Sequence, residues 1–144
     1  MNPKPGEAPV DLAAILRSWQ AIETASIENT TKVMEKTKNS LIRTVMQIIR
    51  SDSETHYKVQ QALIDSLERE AFSLTPEELV EIWDMVDTHA EIEKKTIALA
   101  EKALQGCRLL AQRNLLAYLI EDEKKHDRLL SQLEDFKRNL YPYA

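Results

Sequence analysis

The chain has 144 residues, a formal net charge of −5, 43% hydrophobic and 30% charged residues, and only 2 Gly, 5 Pro and 1 Cys. That length suits one ordinary domain with its own core, and the charges alternate in sign without a basic run that would track a phosphate backbone. A lone Cys107 forms no disulfide within the chain. No stretch reaches the roughly 20 apolar residues of a membrane span, and the first ten residues lack the apolar core of a signal peptide. A soluble, cytoplasmic protein with neither nucleic-acid nor membrane partners is expected.

Residues 1–9 hold three prolines and one glycine and read as a loose arm. A helical pattern follows from about residue 11 to 36. A turn around Lys38-Asn39-Ser40 leads to a second helix, about 41–70. Thr75-Pro76-Glu77-Glu78 then offers an N-cap, a proline at the first helical position and the glutamate of a capping box. The third helix runs about 76–105 and is expected to stop at Gly106. The fourth runs about 108–139, and 141–144 form a tail.

A shift of 70 residues lays one half of the chain on the other without a gap. Ile22-Glu23 falls on Ile92-Glu93, Val45-Met46 on Leu115-Leu116, Asp52 on Asp122, His56 on His126 and Leu63 on Leu133. The domain therefore reads as two helical hairpins of common design. In each, a glutamate precedes a histidine by 33 residues (56 − 23 and 126 − 93). Antiparallel helices bring such a pair level if the turn lies midway. The first midpoint falls at Asn39-Ser40; the second falls near Leu109, a few residues past Gly106.

Positions three and four apart mark the inward stripe of each helix. The first helix reads Leu12, Leu16, Trp19, Glu23, Ile27, Thr30, Met34, and the second Met46, Ile49, Ser53, His56, Gln60, Leu63, Leu67. The third reads Leu79, Ile82, Val86, His89, Glu93, Ile97, Ala100, Leu104, and the fourth Leu116, Leu119, Glu123, His126, Leu130, Leu133. Each stripe is apolar at its ends and polar in its middle. The polar layer uses all three histidines of the chain and three carboxylates, with no Lys or Arg on the stripes at that level. Buried carboxylates without partners are very costly. A bound transition-metal ion removes the cost, because carboxylate and imidazole are natural ligands for it.

With those residues in place, the chain resembles the ferritin-like superfamily of di-iron carboxylate proteins, in its rubrerythrin-like branch. That pattern has a Glu on each of two helices and a Glu-x-x-His on each of the other two. Glu123-Lys124-Lys125-His126 is a full motif, Glu23 and Glu93 match the single glutamates, and His56 matches the second histidine. The resemblance covers the chain beyond the arm and implies an all-α, ferritin-like four-helix bundle built from the two hairpins. It also implies that Asp52 and Asp122 orient the histidines, as outer partners of a metal site do. The departure is Ser53, which stands where a second bridging Glu is expected. Glu54, one position on, points about 100° away. His89, one turn before Glu93, is a candidate replacement ligand, with Trp19 as its repeat counterpart.

The expected ligands are thus Glu23, His56, Glu93, Glu123, His126 and His89, with Asp52, Asp122, Ser53 and Trp19 around them. Iron is the ion the resemblance implies, while manganese and zinc accept the same set, with one or two ions per chain. The implied activity is that of an oxidoreductase handling dioxygen, peroxide or ferrous iron, served by a separate electron donor. The alternative is a helical interaction or metal-sensing module with a degenerate site and no turnover. Ferritin-like folds carry a long crossover between their second and third helices, and the link at 72–75 is short for one. A homodimer is therefore expected, either conventional or with hairpins exchanged between chains.

Overall fold

The computed structural model describes residues 10–140. The arm at 1–9 and the tail at 141–144 lie outside them. Among the described residues there are four helices and no strand: α1 (Leu12–Lys36), α2 (Ser40–Glu68), α3 (Pro76–Gly106) and α4 (Leu110–Leu140). The protein is all-α. No helix is long and apolar enough to cross a membrane. The chain divides into two compact units, Met1–Phe72 and Ser73–Ala144. Within the first α1 packs on α2, and within the second α3 packs on α4.

The helix ends have identifiable causes. Asp11 caps α1, accepting from the Ala14 amide at 3.0 Å, and Asn39 caps α2, accepting from the Ile42 amide at 3.1 Å. At α3 the Thr75 hydroxyl accepts from the Glu78 amide (3.3 Å) while the Glu78 carboxylate accepts from the Thr75 amide (2.8 Å). That is the capping box read from the sequence. The α2 helix stops at Glu68, two residues before the expected end. Arg69 leaves helical geometry there (φ −121°, ψ −87°), and the Arg69 and Glu70 amides both converge on the Asp65 carbonyl.

Gly106 does not end α3 as expected. It is the last helical residue, and the stop comes from the extended backbone of Cys107 (φ −99°, ψ 131°). The fourth helix accordingly begins at Leu110, with Leu109 accepting from the Arg113 amide at 2.9 Å. The two turns therefore occupy 37–39 and 107–109, and the repeat of 70 holds through them. It extends to their fastening. The Arg43 guanidinium donates to the carbonyls of Met34 and Thr37. Arg113 donates to those of Leu104 (2.9 Å) and Cys107 (2.8 Å). Each arginine thus satisfies carbonyls left orphaned at a helix C-terminus. At the open end of the first hairpin, Arg17 pairs with Glu68.

The seam between the paired helices is unusually polar. In the first hairpin it buries Leu16, Gln20, Glu23 and Thr30 against Ser53, Gln60 and Ile64. In the second, Leu79, Glu93 and Ile120 are buried. The inward stripes are only partly covered by this packing. Leu12, Trp19, Ile49, His56, Leu63 and Leu67 stand exposed on the first hairpin, and Ile82, His89 and Leu119 on the second. A helix has one flank toward its hairpin partner, and a stripe about 100° wide extends past that flank.

Because the capping box satisfies two amides at the start of α3, Thr75→Ala is expected to cost about 1 kcal/mol. Urea unfolding followed by circular dichroism measures this, and an unchanged midpoint would remove the box from the stability of the second hairpin.

Candidate metal centre

Glu93 is the most informative residue of the second hairpin. It lies in the seam with 5% of its surface exposed. His89, one helical turn earlier on α3, meets its Oε1 through Nε2 at 2.9 Å. From α4, the His126 Nδ1 lies 3.5 Å from the same oxygen and 3.5 Å from the Glu123 Oε2. The other oxygen of Glu93, Oε2, is buried and meets no standing hydrogen-bond donor.

Glu93, Glu123 and His126 each offer a ligand atom within 4.8 Å of the others. A common ion bonded at about 2.0–2.2 Å to each would draw together atoms up to about 4.4 Å apart. Small side-chain adjustments therefore close the set. The spacing explains the convergence. Glu123 and His126 are three apart and share one face of α4, and the 33-residue interval, centred on the 107–109 turn, brings Glu93 level with them.

His126 is turned as a ligand would be. Nδ1 faces the two carboxylates, while Nε2 faces Asp122 Oδ2 at 3.9 Å. That distance is beyond a direct hydrogen bond. The other Asp122 oxygen accepts from Lys125 at 2.7 Å. Asp122 thus stands behind the histidine of its own motif, on the side away from the carboxylates. His89 lies outside the three-residue cluster, as a neighbour of Glu93 Oε1.

The first hairpin uses matching positions differently. Glu23, buried, has His56 Nδ1 at 3.3 Å and accepts from the Gln60 amide at 3.4 Å. Ser53 is buried in the seam and donates to Ser26 at 2.9 Å. Gln20 donates to the Tyr57 carbonyl and to Gln61. Glu54 pairs with Arg50 on the exposed face at 3.3 Å. Asp52 makes no ion pair with His56 among the described residues, and Trp19 stands half exposed. The layer is held together by amides and hydroxyls, and no third ligand joins Glu23 and His56.

Gln60, Gln20 and Ser26 are the partners that sequence reasoning passed over. Gln60 had a signal: it is four residues past His56 on the same stripe, and its counterpart at 130 is a leucine. Ser26 and Gln20 had none, because a small or amide side chain on a helix face is ordinary.

An open groove of about 390 Å³ adjoins the cluster, with Glu93, His89 and His126 at one end and Leu129, Leu133 and Phe136 along its walls. No protein-family model matches this chain, and neither does any curated protein or solved structure.

The two carboxyls of the cluster shift in opposite directions. Glu93 is held below the ordinary carboxyl value, chiefly by a hydrogen bond from the Glu123 carboxyl, with burial opposing and His89 and His126 assisting. Glu123 is held above it, chiefly by the same bond, then by burial and the charge of Glu93. One proton is shared, and the pair titrates as a unit. The raised group stabilises the fold below its unfolded value and loses that contribution as pH rises through its folded value. The lowered group stabilises above its unfolded value and loses that contribution as pH falls through its folded value. Metal-free protein should therefore be most favoured between the two and weaken as pH climbs through the raised value. Glu123→Gln, which keeps an N–H to donate, should abolish the weakening. Melting curves across the carboxyl range and up to neutrality test this, and parallel curves for the two proteins would refute the shared proton.

Proposed function

We propose that this chain is a metal-binding protein of ferritin-like type, and that its ion is held by Glu93, Glu123 and His126. The observation that carries this reading is the buried Glu93 carboxylate, whose Oε2 has no fixed donor although an imidazole and a second carboxylate converge beside it. Burying two carboxylates side by side is costly unless a cation or a proton neutralises them. A divalent ion displaces the shared proton and balances both charges. The mixed oxygen and nitrogen donors suit iron, manganese or zinc.

Glu93, Glu123 and His126 would hold the ion, and His89 and Asp122 would orient Glu93 and His126 from outside. Iron in such a set supplies one-electron redox chemistry, which supports an oxidoreductase handling dioxygen, peroxide or ferrous iron. The Glu93 end of the groove gives a small reactant access, while Leu129 and Leu133 limit water along the wall. Glu23 and His56 form a weaker carboxylate–imidazole pair on the first hairpin.

Ser53 favours a second reading, a metal-sensing module without turnover, since the first hairpin has an alcohol where a ligand is expected. Dioxygen consumption on adding ferrous iron separates the two.

Elemental analysis of untagged protein beside His126→Ala tests the metal. Wild type should hold about one or two transition-metal ions per chain, as di-iron carboxylate sites do, and the variant should lose them. A wild type that is empty and takes up neither iron nor manganese would end the metal reading.

A further inference from the structure

The face of the second hairpin that carries the metal cluster is not covered by the hairpin's own packing. Ile82, Met85 and Ile92 on α3 and Leu119, Leu129 and Phe136 on α4 are between 40% and 64% exposed. They follow three- and four-residue steps around His89 and His126. His89 lines both the groove beside Leu129 and Phe136 and a second depression beside Met85 and Ile92. The exposed residues are therefore one surface with imidazoles and carboxylates at its middle.

We infer that this face is an interface with the same face of a second copy of this chain, and that the pairing doubles Glu93, Glu123 and His126 into one metal centre across a two-fold axis. The doubled centre rests on the metal reading given above.

Three observations select the second copy. The first is symmetry of placement. The midpoint of α3 is residue 91, halfway from 76 to 106, and that of α4 is residue 125, halfway from 110 to 140. Glu93 and His126 lie within two residues of these midpoints. A two-fold axis at that level lays the polar layer on itself and the apolar ends on apolar ends, as a self-complementary interface requires.

The second is size. Helices of 31 residues are about 46 Å long at 1.5 Å per residue, and two lie side by side about 20 Å wide. The face is therefore about 900 Å², against the roughly 800 Å² per partner of a standard stable interface.

The third is charge and ligand type. One hairpin supplies a Glu and a Glu-x-x-His, half of the set that binds two ions in carboxylate bundles. Two copies supply the whole set from identical parts, and two divalent ions neutralise its four carboxylates. Without ions those carboxylates repel, so association depends on metal. The first hairpin cannot stand in for this partner on equal terms. It lacks the bridging carboxylate at Ser53, and its Glu23 already accepts from Gln60.

The test uses sedimentation velocity and metal analysis on the full chain, stripped and then loaded with manganese(II) or iron(II). Loaded wild type should be a dimer with about two ions per pair of chains, and stripping should weaken the dimer at least tenfold. The pair Leu129→Glu and Phe136→Glu changes exposed residues and should keep the helical circular dichroism while giving monomers that bind metal at least tenfold more weakly. Glu23→Gln should alter neither mass nor metal content. A loaded wild type that is monomeric overturns the interface and leaves the metal reading standing. A dimer that never takes metal overturns the doubled centre and the metal reading together. A dimer that survives the two glutamates, or metal lost on Glu23→Gln, overturns the pairing by assigning the contact or the ligands elsewhere.

Discussion

The structure is organised around the difficulty of keeping a carboxylate inside a helical seam. Glu23 and Glu93 sit at equivalent positions of the repeat, each almost fully buried between two helices. An ionised carboxylate in such a place demands donors or a counter-charge. The first hairpin answers with the Gln60 amide and the His56 imidazole. The second answers with two imidazoles and a proton shared with Glu123, and it leaves one buried oxygen without a donor. The same scaffold thus holds one largely satisfied layer and one that a cation would complete.

A polar seam leaves little apolar burial to hold each hairpin. Leu16, Ile64, Leu79 and Ile120 are the buried large apolar residues. Fastening at the ends compensates, through the capping box at Thr75, the side-chain caps at Asp11 and Asn39, and the arginines at both turns. Much of the remaining apolar surface stays on open flanks, which single surface residues would not explain but contiguous faces do. The polar middle and the apolar ends of these faces are two aspects of one design. The ends favour contact and the middle penalises it unless charge is neutralised.

Differences between the hairpins follow from single substitutions in the repeat. Ser53 for Glu123 removes a carboxylate and turns the position toward Ser26. Gln60 for Leu130 adds an amide that occupies Glu23. Trp19 for His89 removes an imidazole from beside the glutamate. Each change moves the first hairpin away from metal chemistry and toward internal hydrogen bonding.

The sequence by itself determined the four helices, the two turns related by 70 residues and the capping box, because caps and 3.6-residue periodicity are local properties of the chain. The 33-residue interval likewise made the Glu93–His126 and Glu23–His56 levels legible, since an antiparallel hairpin maps sequence distance onto height. The stop at Cys107 was not legible, because Gly106 carries a strong terminating signal whose left-handed backbone the chain does not adopt. Only the tertiary structure decided which flank of each stripe enters the seam. A stripe of three- and four-residue steps is wider than one helix contact, so Gln20 is covered while Trp19 stays open. It alone decided, too, that Ser53 turns to Ser26, that Glu93 keeps an unpaired oxygen and that His89 flanks the cluster. Those outcomes depend on side-chain direction across the seam, and periodicity along one helix does not encode it.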